Sequence, residues 1–262
     1  MPAPNRVPEK MTAEVLMPAK DIALANEILR GVVGSTALGT SLDGQDDRDE
    51  MGVFIEPPMY VCGLASCDHY IQRDQPSGVR SEPGDLDLTM YSLRKYCRLA
   101  AQGNPSVLIL LWLPSYLTRL PLGDDLLAIR SAFFSRSAGE RFMGYLTSQK
   151  LALKGERTKK VSRPDLVEKY GYDTKFAMHA LRLGYEGIEY MTERRLTLPT
   201  PEPARTTLMD MRTGHIPYAD ALTLIESVEN RLRSIVDKCD VAADFATIND
   251  FLVRAHREHW NW

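Results

Sequence analysis

The sequence predicts an α/β fold, in which a small mixed sheet with flanking helices precedes an all-helical region. Strand-like patterns lie in the first 115 residues, and the clearest is the alternation of polar and apolar side chains over Asp85–Tyr91. Beyond about Leu120 the apolar residues recur at helical spacing almost without interruption. This change of pattern predicts two domains, residues 1–115 and residues 116–262.

The predicted elements of the first domain are short and are separated by turns that contain Gly and Pro. In chain order they are a helix over Ala19–Leu29, a strand ending at Val33, a strand over Met51–Ile55, a short strand near His69–Gln72, the strand over Asp85–Tyr91, and helices over Ser92–Gln102 and Ser106–Trp112. Ser92 is expected to cap the helix that it begins. In the second domain helices are predicted over Gly123–Phe134, Ser137–Leu153, Tyr172–Thr192, Thr206–Thr213, Tyr218–Asp237 and Ala246–His259.

The composition is that of a globular protein without an overall attraction to nucleic acid or membrane, since the net charge is −3. The charge is unevenly distributed, because residues 141–182 hold ten Lys or Arg and four Asp or Glu, which suits an anionic ligand. The four Cys are scattered, which is typical of reduced thiols and disfavours a zinc site. The N-terminus has no apolar signal segment, and the most apolar run, Val107–Leu113, is too short to cross a membrane. We therefore predict a cytoplasmic protein with no membrane partner.

The stretch from Gly34 to Asp49 carries the strongest chemical signal. An apolar run leads into Gly34-Ser35, a turn whose backbone N–H groups and hydroxyl can bind a phosphate. Asp47 and Asp49 stand one residue apart at the start of the next strand, so both carboxylates project to one face. Two adjacent carboxylates repel each other unless a cation lies between them, and a divalent metal is the usual one. The plain alternative is a solvated acidic loop, but the turn and the strand that frame the pair favour a metal site.

A third carboxylate is expected from the strand over Asp85–Tyr91. Two-metal phosphoryl transfer uses several carboxylates to hold two divalent cations about 3.5–4 Å apart. Adjacent strands lie about 4.8 Å apart, so an acid on a neighbouring strand can complete the group. Asp85 and Asp87 both lie on the polar face of this strand, and periodicity does not decide between them. The pattern as a whole indicates nucleotide chemistry.

The order of these motifs resembles the signature of the DNA polymerase β-like nucleotidyltransferase superfamily, in which a Gly-Ser turn precedes an Asp-x-Asp pair, an apolar strand and a later strand Asp. Two further stretches are similar to the bacterial and phage group of RNA-repair-pathway polymerase β proteins. They are Asp87-Leu-Thr-Met-Tyr-Ser-Leu-Arg-Lys-Tyr followed by Gly103-Asn-Pro, and Gly171-Tyr-Asp-Thr-Lys-x-Ala-x-His-x-Leu-Arg-Leu followed by Gly187-Ile-Glu. The resemblance covers roughly residues 30 to 195.

The resemblance implies a nucleotidyltransferase core in the first domain, with Mg²⁺ or Mn²⁺ held by Asp47, Asp49 and Asp87, and a helical domain behind it. It also favours Asp87 over Asp85 as the third carboxylate. The chain departs from the group at Ile109, where relatives often carry a Glu. Any catalytic role of that Glu therefore has no counterpart here.

Cationic side chains on two predicted helices are candidates for phosphate binding. Lys175, His179 and Arg182 are spaced i, i+4 and i+7, so they share one helix face. A solvated polar face is the plain interpretation, but the resemblance favours a clamp for the triphosphate or for an RNA phosphate, because phosphoryl transfer gains from cations near the developing charge. Lys150 and Lys154 form a second pair, which is predicted either to bind nucleotide or a polynucleotide backbone or to be solvated.

We therefore predict an enzyme that transfers a nucleoside monophosphate from an NTP to a hydroxyl group and releases pyrophosphate. Asp47 and Asp49 would hold both metals, and Asp87 would hold the catalytic metal and help to deprotonate the acceptor. Gly34 and Ser35 would bind the β- and γ-phosphates. As the acceptor, an RNA 3′ end follows from the family name, whereas a protein hydroxyl or a small molecule fits the chemistry equally. The alternative to an enzyme is a non-catalytic nucleotide sensor. The sequence does not specify the base, a template or an oligomeric state.

Overall fold

A computed structural model of the chain describes residues 17–42, 47–75, 82, 84–156 and 163–262. The Pro-rich start of the chain (residues 1–8), the spacer acids Asp43 and Asp46, and residues 157–162 of the basic segment lie outside the described residues. A mixed sheet is followed by a helical region, which confirms the predicted fold class.

Within the described residues, five strands form a mixed sheet in the order β3-β4-β2-β1-β5. The strands are β1 (Glu27–Val32), β2 (Arg48–Phe54), β3 (His69–Arg73), β4 (Leu86–Ser92) and β5 (Thr118–Arg119). The central strands β2 and β4 are parallel, and the other neighbouring strands are antiparallel. Asp49 stands opposite Asp87 in the parallel pair. Two predicted site residues therefore lie side by side near the starts of neighbouring strands.

Helices cover the sheet and make up most of the second half of the chain. Those described are α1 (Ala19–Ala25), α2 (Gly34–Leu38), α3 (Pro58–Val61), α4 (Leu93–Ala101), α5 (Pro105–Leu108), α6 (Pro121–Ala128), α7 (Arg136–Leu153), α8 (Pro164–Tyr170), α9 (Thr174–Glu193), α10 (Ala204–Arg212), α11 (Tyr218–Val236) and α12 (Phe245–Trp260), with 3₁₀ turns over Ile109–Trp112 and Arg130–Phe133. Ser92 caps α4 as predicted, since its Oγ accepts the N–H of Lys95 at 3.3 Å. None of the described helices combines the length and the apolar composition that a membrane crossing needs.

The first predicted helix is wrong at its C-terminal end. The prediction covered Ala19–Leu29, but Ile28 and Leu29 belong to β1, where both are buried. An apolar run of this length fits a buried strand as well as a helix. The helix ends at Asn26, whose side-chain amide donates to the Ile22 carbonyl at 2.8 Å.

Among the described residues, the larger of two hydrophobic clusters extends from the sheet into the helices. It contains Leu29 and Val53 from the central strands together with Leu181 of α9 and Leu232 of α11. Helices that follow residue 115 therefore share a core with the sheet, and the edge strand β5 also follows residue 115. The division into residues 1–115 and 116–262 stays a prediction.

Helix α9 packs closely against both α7 and α11. A Cβ on Gly184 would lie 2.3 Å from Val228 Cγ1, and a Cβ on Gly187 would lie 2.9 Å from Leu232 Cδ2. Glycine at these two positions allows the helices to approach, because any larger side chain would have to push its neighbour away. This packing fixes α9 against α7 and α11.

The C-terminal helix α12 returns to the first half of the chain. Trp260 Nε1 donates to the Glu56 carbonyl at 2.9 Å, and His259 Nε2 lies 2.9 Å from Asn26 Oδ1. His256 Nε2 lies 3.4 Å from Glu56 Oε2. Burial alone would raise the pKa of Glu56, but its hydrogen bonds, the largest from His256, lower that pKa below its usual value. Helix α12 is thus joined to Asn26 and Glu56 through buried and partly buried polar contacts.

Candidate active site

A cleft of about 400 Å³ opens between the sheet and the first half of α9. Every predicted site residue except Lys150 lines this cleft, namely Gly34, Ser35, Asp47, Asp49, Asp87, Lys175, His179 and Arg182. Residues from distant parts of the sequence therefore meet in one place. The Gly-Ser turn and the acids come from the sheet side, and the basic residues come from α9.

Gly34 lies directly against the Asp49 carboxylate. A Cβ at this position would be 2.0 Å from Asp49 Oδ2, and the Gly34 φ of +64° lies in the left-handed region that favours glycine. The Val33 N–H donates to the Asp49 carbonyl at 2.9 Å, so the turn is attached to β2 beside the acid. Glycine is required here because the Gly-Ser turn and the acidic strand touch.

The carboxylates of the cleft come from β2 and β4. Asp49 and Asp87 are neighbours across the parallel pair, and Asp47 lines the cleft immediately before β2. Asp85, although described, is not among the lining residues, and its Oδ2 accepts the N–H of Glu82 at 2.6 Å. The position of Asp87 suits a third carboxylate better than that of Asp85, while its catalytic role stays a prediction.

The acids suit a divalent cation by their chemistry, because carboxylate oxygens are ligands that Mg²⁺ and Mn²⁺ prefer. Within the described ranges, however, no three His, Cys, Asp or Glu side chains stand close enough together to hold one ion. The Asp87 carboxylate contacts a cation of the protein, since Arg73 Nε lies 3.3 Å from Oδ1 and 3.2 Å from Oδ2. Arg73 ends β3 and stands opposite Asp87 in the antiparallel register.

The opposite wall of the cleft is the first half of α9. Asp173 caps this helix by accepting the N–H groups of Lys175 and Phe176, both at 3.1 Å. Arg163 donates two hydrogen bonds to the same carboxylate, of 3.1 and 3.0 Å. This cap fixes where α9 begins and therefore which of its residues meet the cleft.

Arg182 is held at the cleft wall by Glu186, one turn further along α9. Its Nη1 donates to Oε1 at 2.9 Å and to Oε2 at 3.1 Å. Burial raises the pKa of Glu186, and the guanidinium of Arg182 opposes that rise. The ion pair holds the guanidinium in a defined position at the cleft wall.

His179 is enclosed by cations. Burial lowers the pKa of His179 well below its usual value, and Arg182, Lys175, Arg163 and Arg212 lower it further. The imidazole is therefore neutral at neutral pH. Its Nδ1 has no hydrogen-bond partner among the described residues. A neutral imidazole can donate or accept a hydrogen bond without adding charge.

Two arginines of the cleft carried no signal in the sequence. Arg73 follows the predicted short strand near His69–Gln72, in a region rich in Gly and Pro, and Arg212 is the last residue of α10. Arg212 is buried and donates from Nη1 to the Thr40 carbonyl. Ile109, in the apolar segment after Asn104-Pro105, is also buried and forms part of the cleft wall.

Lys150 and Lys154 lie away from the cleft, between α7 and α11. Lys150 Nζ contacts Glu229 Oε2, and both side chains are mostly buried. Lys154 Nζ lies 3.5 Å from Glu226 Oε1. The structure thus gives Lys150 a contact between two helices and does not bring it to the other predicted site residues.

Comparison with known proteins places these features in a family. No protein with a curated description matches the chain. A nucleotidyltransferase-like protein from Exiguobacterium sibiricum 255-15, known from a crystal structure, is 12% identical in sequence, with a TM-score of 0.32 over 92% of this chain and 77% of that one. A family match, described as RNA repair pathway DNA polymerase beta, covers residues 13–254. Because this match spans most of the sequence, the chain belongs to the RNA repair pathway DNA polymerase beta family.

Proposed function

We propose that this chain transfers a nucleoside monophosphate from an NTP to a hydroxyl group by two-metal catalysis, with release of pyrophosphate. The observation that carries the proposal is the separation of charge in the cleft, where the acids of β2 and β4 face the cations of α9. Reaction of a nucleoside triphosphate requires both the acidic and the basic side of the cleft. Cations stabilise its β- and γ-phosphates, and carboxylates hold the divalent ions at the reacting phosphate.

In this proposal all three acids bind metal, and Asp87 has a second role. Asp47, Asp49 and Asp87 would hold the divalent cations, Mg²⁺ or Mn²⁺, whose chemistry is to polarise the α-phosphate and to lower the pKa of the attacking hydroxyl. Asp87 accepts the proton of that hydroxyl. Its side chain is 19% exposed, so an acceptor that enters the cleft can reach it.

The Gly-Ser turn and α9 bind the part of the nucleotide that leaves. Backbone N–H groups at Gly34 and Ser35 donate to the β- and γ-phosphates. Lys175 and Arg182 supply positive charge where negative charge develops on the pyrophosphate. His179, being neutral, contributes a hydrogen bond and leaves the balance of charge unchanged.

An RNA 3′ end is the acceptor that we favour, because the family description names an RNA repair pathway. A protein hydroxyl or a small molecule would use the same cleft chemistry with another acceptor.

The test is to incubate the purified chain with each NTP, radiolabelled at the α-phosphate, together with Mg²⁺ and total RNA. Label in ribonuclease-sensitive material supports the proposal in full. Label that is removed by protease, or that stays on a small product, supports the reaction and replaces RNA as acceptor. Tight binding of NTP without transfer of label to RNA, to protein or to a small molecule would refute the proposed enzymatic activity and favour a nucleotide sensor.

Asparagine variants show whether the acids act as proposed. Asp49→Asn and Asp87→Asn are each expected to slow transfer by about a thousandfold, because removal of a metal-binding charge costs several kcal/mol in the transition state. Asp85→Asn is the matched control, since it makes the same change near the start of the same strand outside the cleft, and we expect its rate to be unchanged. A double variant, Asp47→Asn with Asp49→Asn, that still transferred label would contradict the mechanism.

A further inference from the structure

The outward face of α12 carries a stripe of four exposed residues. They are spaced i, i+4, i+7 and i+11, which is the spacing of residues along the contact line of two packed helices. The four are Ala246, Asp250, Val253 and Arg257. The opposite face of α12 is already used, since Ile248, Phe251 and Ala255 are buried in the core. The exposed stripe therefore contributes no packing to the core of the chain.

The two charges of this stripe have no ion-pair partner within the part of the chain that the structure describes. The neighbouring Arg254 does have one, because its Nη1 lies 2.5 Å from Asp125 Oδ2 of α6. Asp250 and Arg257 cannot pair with each other, since seven residues of helix separate them by about 10.5 Å along the axis. Their opposite charges are therefore both available to a partner.

A second copy of the chain presents the complement of each charge. In a dimer with two-fold symmetry a contact of Asp250 with Arg257 occurs twice, because both copies use the same surface. When two α12 helices lie antiparallel with the axis at Val253, Asp250 lies about 4.5 Å to one side of the axis and Arg257 about 6 Å to the other. Each aspartate then faces the arginine of the other copy, and the two valines meet at the centre.

Exposed apolar side chains on this surface fit the same symmetry. Val253 and Trp262, which are 60% and 66% exposed, line one groove of about 400 Å³. The Trp262 ring packs edge-on against Trp260, with centroids 4.8 Å apart. Phe245, which is 58% exposed, lies eight residues before Val253, and Trp262 lies nine residues after it. An antiparallel pair therefore brings the Phe245 end of one helix to the Trp262 end of the other, where the two rings shield each other from water.

We propose that the exposed face of α12 is the interface of a homodimer, in which two α12 helices pack antiparallel about a two-fold axis at Val253. The charge pattern favours a second copy as the partner, because the antiparallel copy presents the same two charges in reversed order. A helix of 16 residues offers a strip of about 24 Å by 10 Å. This strip is smaller than the roughly 800 Å² per partner of a standard interface, so the dimer is weak, with a dissociation constant on the order of tens of micromolar.

The test is sedimentation equilibrium of the full chain over about 1–300 μM at low salt, where charge pairs are least screened. Asp250→Arg and Arg257→Asp each place like charges at both contacts, so each variant alone should associate about tenfold or more weakly than the wild type. An equimolar mixture of the two variants again has opposite charges at both contacts, and we expect it to dimerise as the wild type does. The variant with both substitutions should also dimerise, because it only exchanges the two charges.

Glu168→Arg is the matched control, since it makes the same change of charge at an exposed acid of α8, outside the stripe, and should leave the dimer unchanged. If it weakened association as much as Asp250→Arg, net charge would explain the effect and the proposal would be overturned. A wild type that stays monomeric over the whole concentration range would overturn it too, as would a dimer that survives either reversal. Failure of the mixture to dimerise would refute the antiparallel pairing, whereas its recovery also shows that neither substitution unfolds the chain.

Discussion

Replacement of Gly34 by Ala is expected to slow transfer by about a hundredfold while the protein still folds. The added Cβ would lie 2.0 Å from Asp49 Oδ2, 2.8 Å from its Cγ and 2.9 Å from its Cβ. Ordinary contacts between such atoms are about 3.5 Å, so the carboxylate or the turn must move by more than about 1 Å. Either movement separates the Gly-Ser turn from the acid that it now touches.

The expected magnitudes follow from that displacement and from the backbone. A shift of about 1 Å in a catalytic group can slow a reaction by about a hundredfold. An alanine at a φ of +64° is less stable than glycine by about 1–2 kcal/mol. Proteins are stable by about 5–15 kcal/mol, so the folded state should survive the substitution.

Single-turnover transfer of label measures the rate, and urea unfolding followed by circular dichroism measures the stability. Gly155→Ala is the matched control, because Gly155 has a φ of +74° and a Cβ there would meet no atom within 4 Å. It should lose a similar free energy of unfolding and keep the wild-type rate. If Gly34→Ala transferred label as fast as Gly155→Ala, the contact of Gly34 with Asp49 would have no part in catalysis.

Three further substitutions test the roles assigned to the basic residues. Arg182→Ala should lower the free energy of unfolding by about 3–5 kcal/mol, because it leaves Glu186 buried without its cation. Burial raises the pKa of Glu186 in the folded state, so the folded protein binds a proton at Glu186 more tightly than the unfolded chain does. The loss of unfolding free energy in Arg182→Ala should therefore be largest at high pH, where Glu186 is charged, and shrink as the pH falls. A loss that did not depend on pH in urea unfolding would contradict this. Lys150→Met should cost about 1–3 kcal/mol through the loss of its bond to Glu229 and leave nucleotide affinity unchanged in a titration calorimeter. Lys175→Met should weaken ATP binding by about tenfold in the same titration, whereas an unchanged affinity would remove Lys175 from the site.

The sequence could predict the acidic half of the site because short-range geometry decides it. Alternation along a strand puts Asp47 and Asp49 on one face, and the turn before them needs a glycine. The choice between Asp85 and Asp87 depends on which residue stands opposite Asp49, and that is a property of the register between two strands. Only a resemblance could suggest that register in advance.

The basic half was harder to predict because helical spacing identifies a shared face and not what that face meets. Lys175, His179 and Arg182 on α9 give the same kind of pattern as Lys150 on α7 and Lys154 at its C-terminal cap. The first set meets the cleft, and the second pairs with acids of α11. Neighbouring helices make that difference, and they are distant in the sequence.

Small or exposed elements also escaped prediction for physical reasons. Strand β5 has only two residues, and α8 buries none, so neither shows an apolar period. Arg73 escaped because a lone cation on an edge strand next to turn residues usually means a solvated surface. Its contact with Asp87 depends on the antiparallel register of β3 and β4.

The separation of charge in the cleft also determines how a triphosphate can lie there. The acids of the sheet repel phosphate, and the cations of α9 attract it. A nucleotide without a divalent ion would therefore bind through its β- and γ-phosphates on α9 and hold its α-phosphate away from Asp49 and Asp87. Only a cation between the acids and the α-phosphate reverses that repulsion. The proposed function therefore implies that transfer needs nucleotide and metal bound in the cleft together.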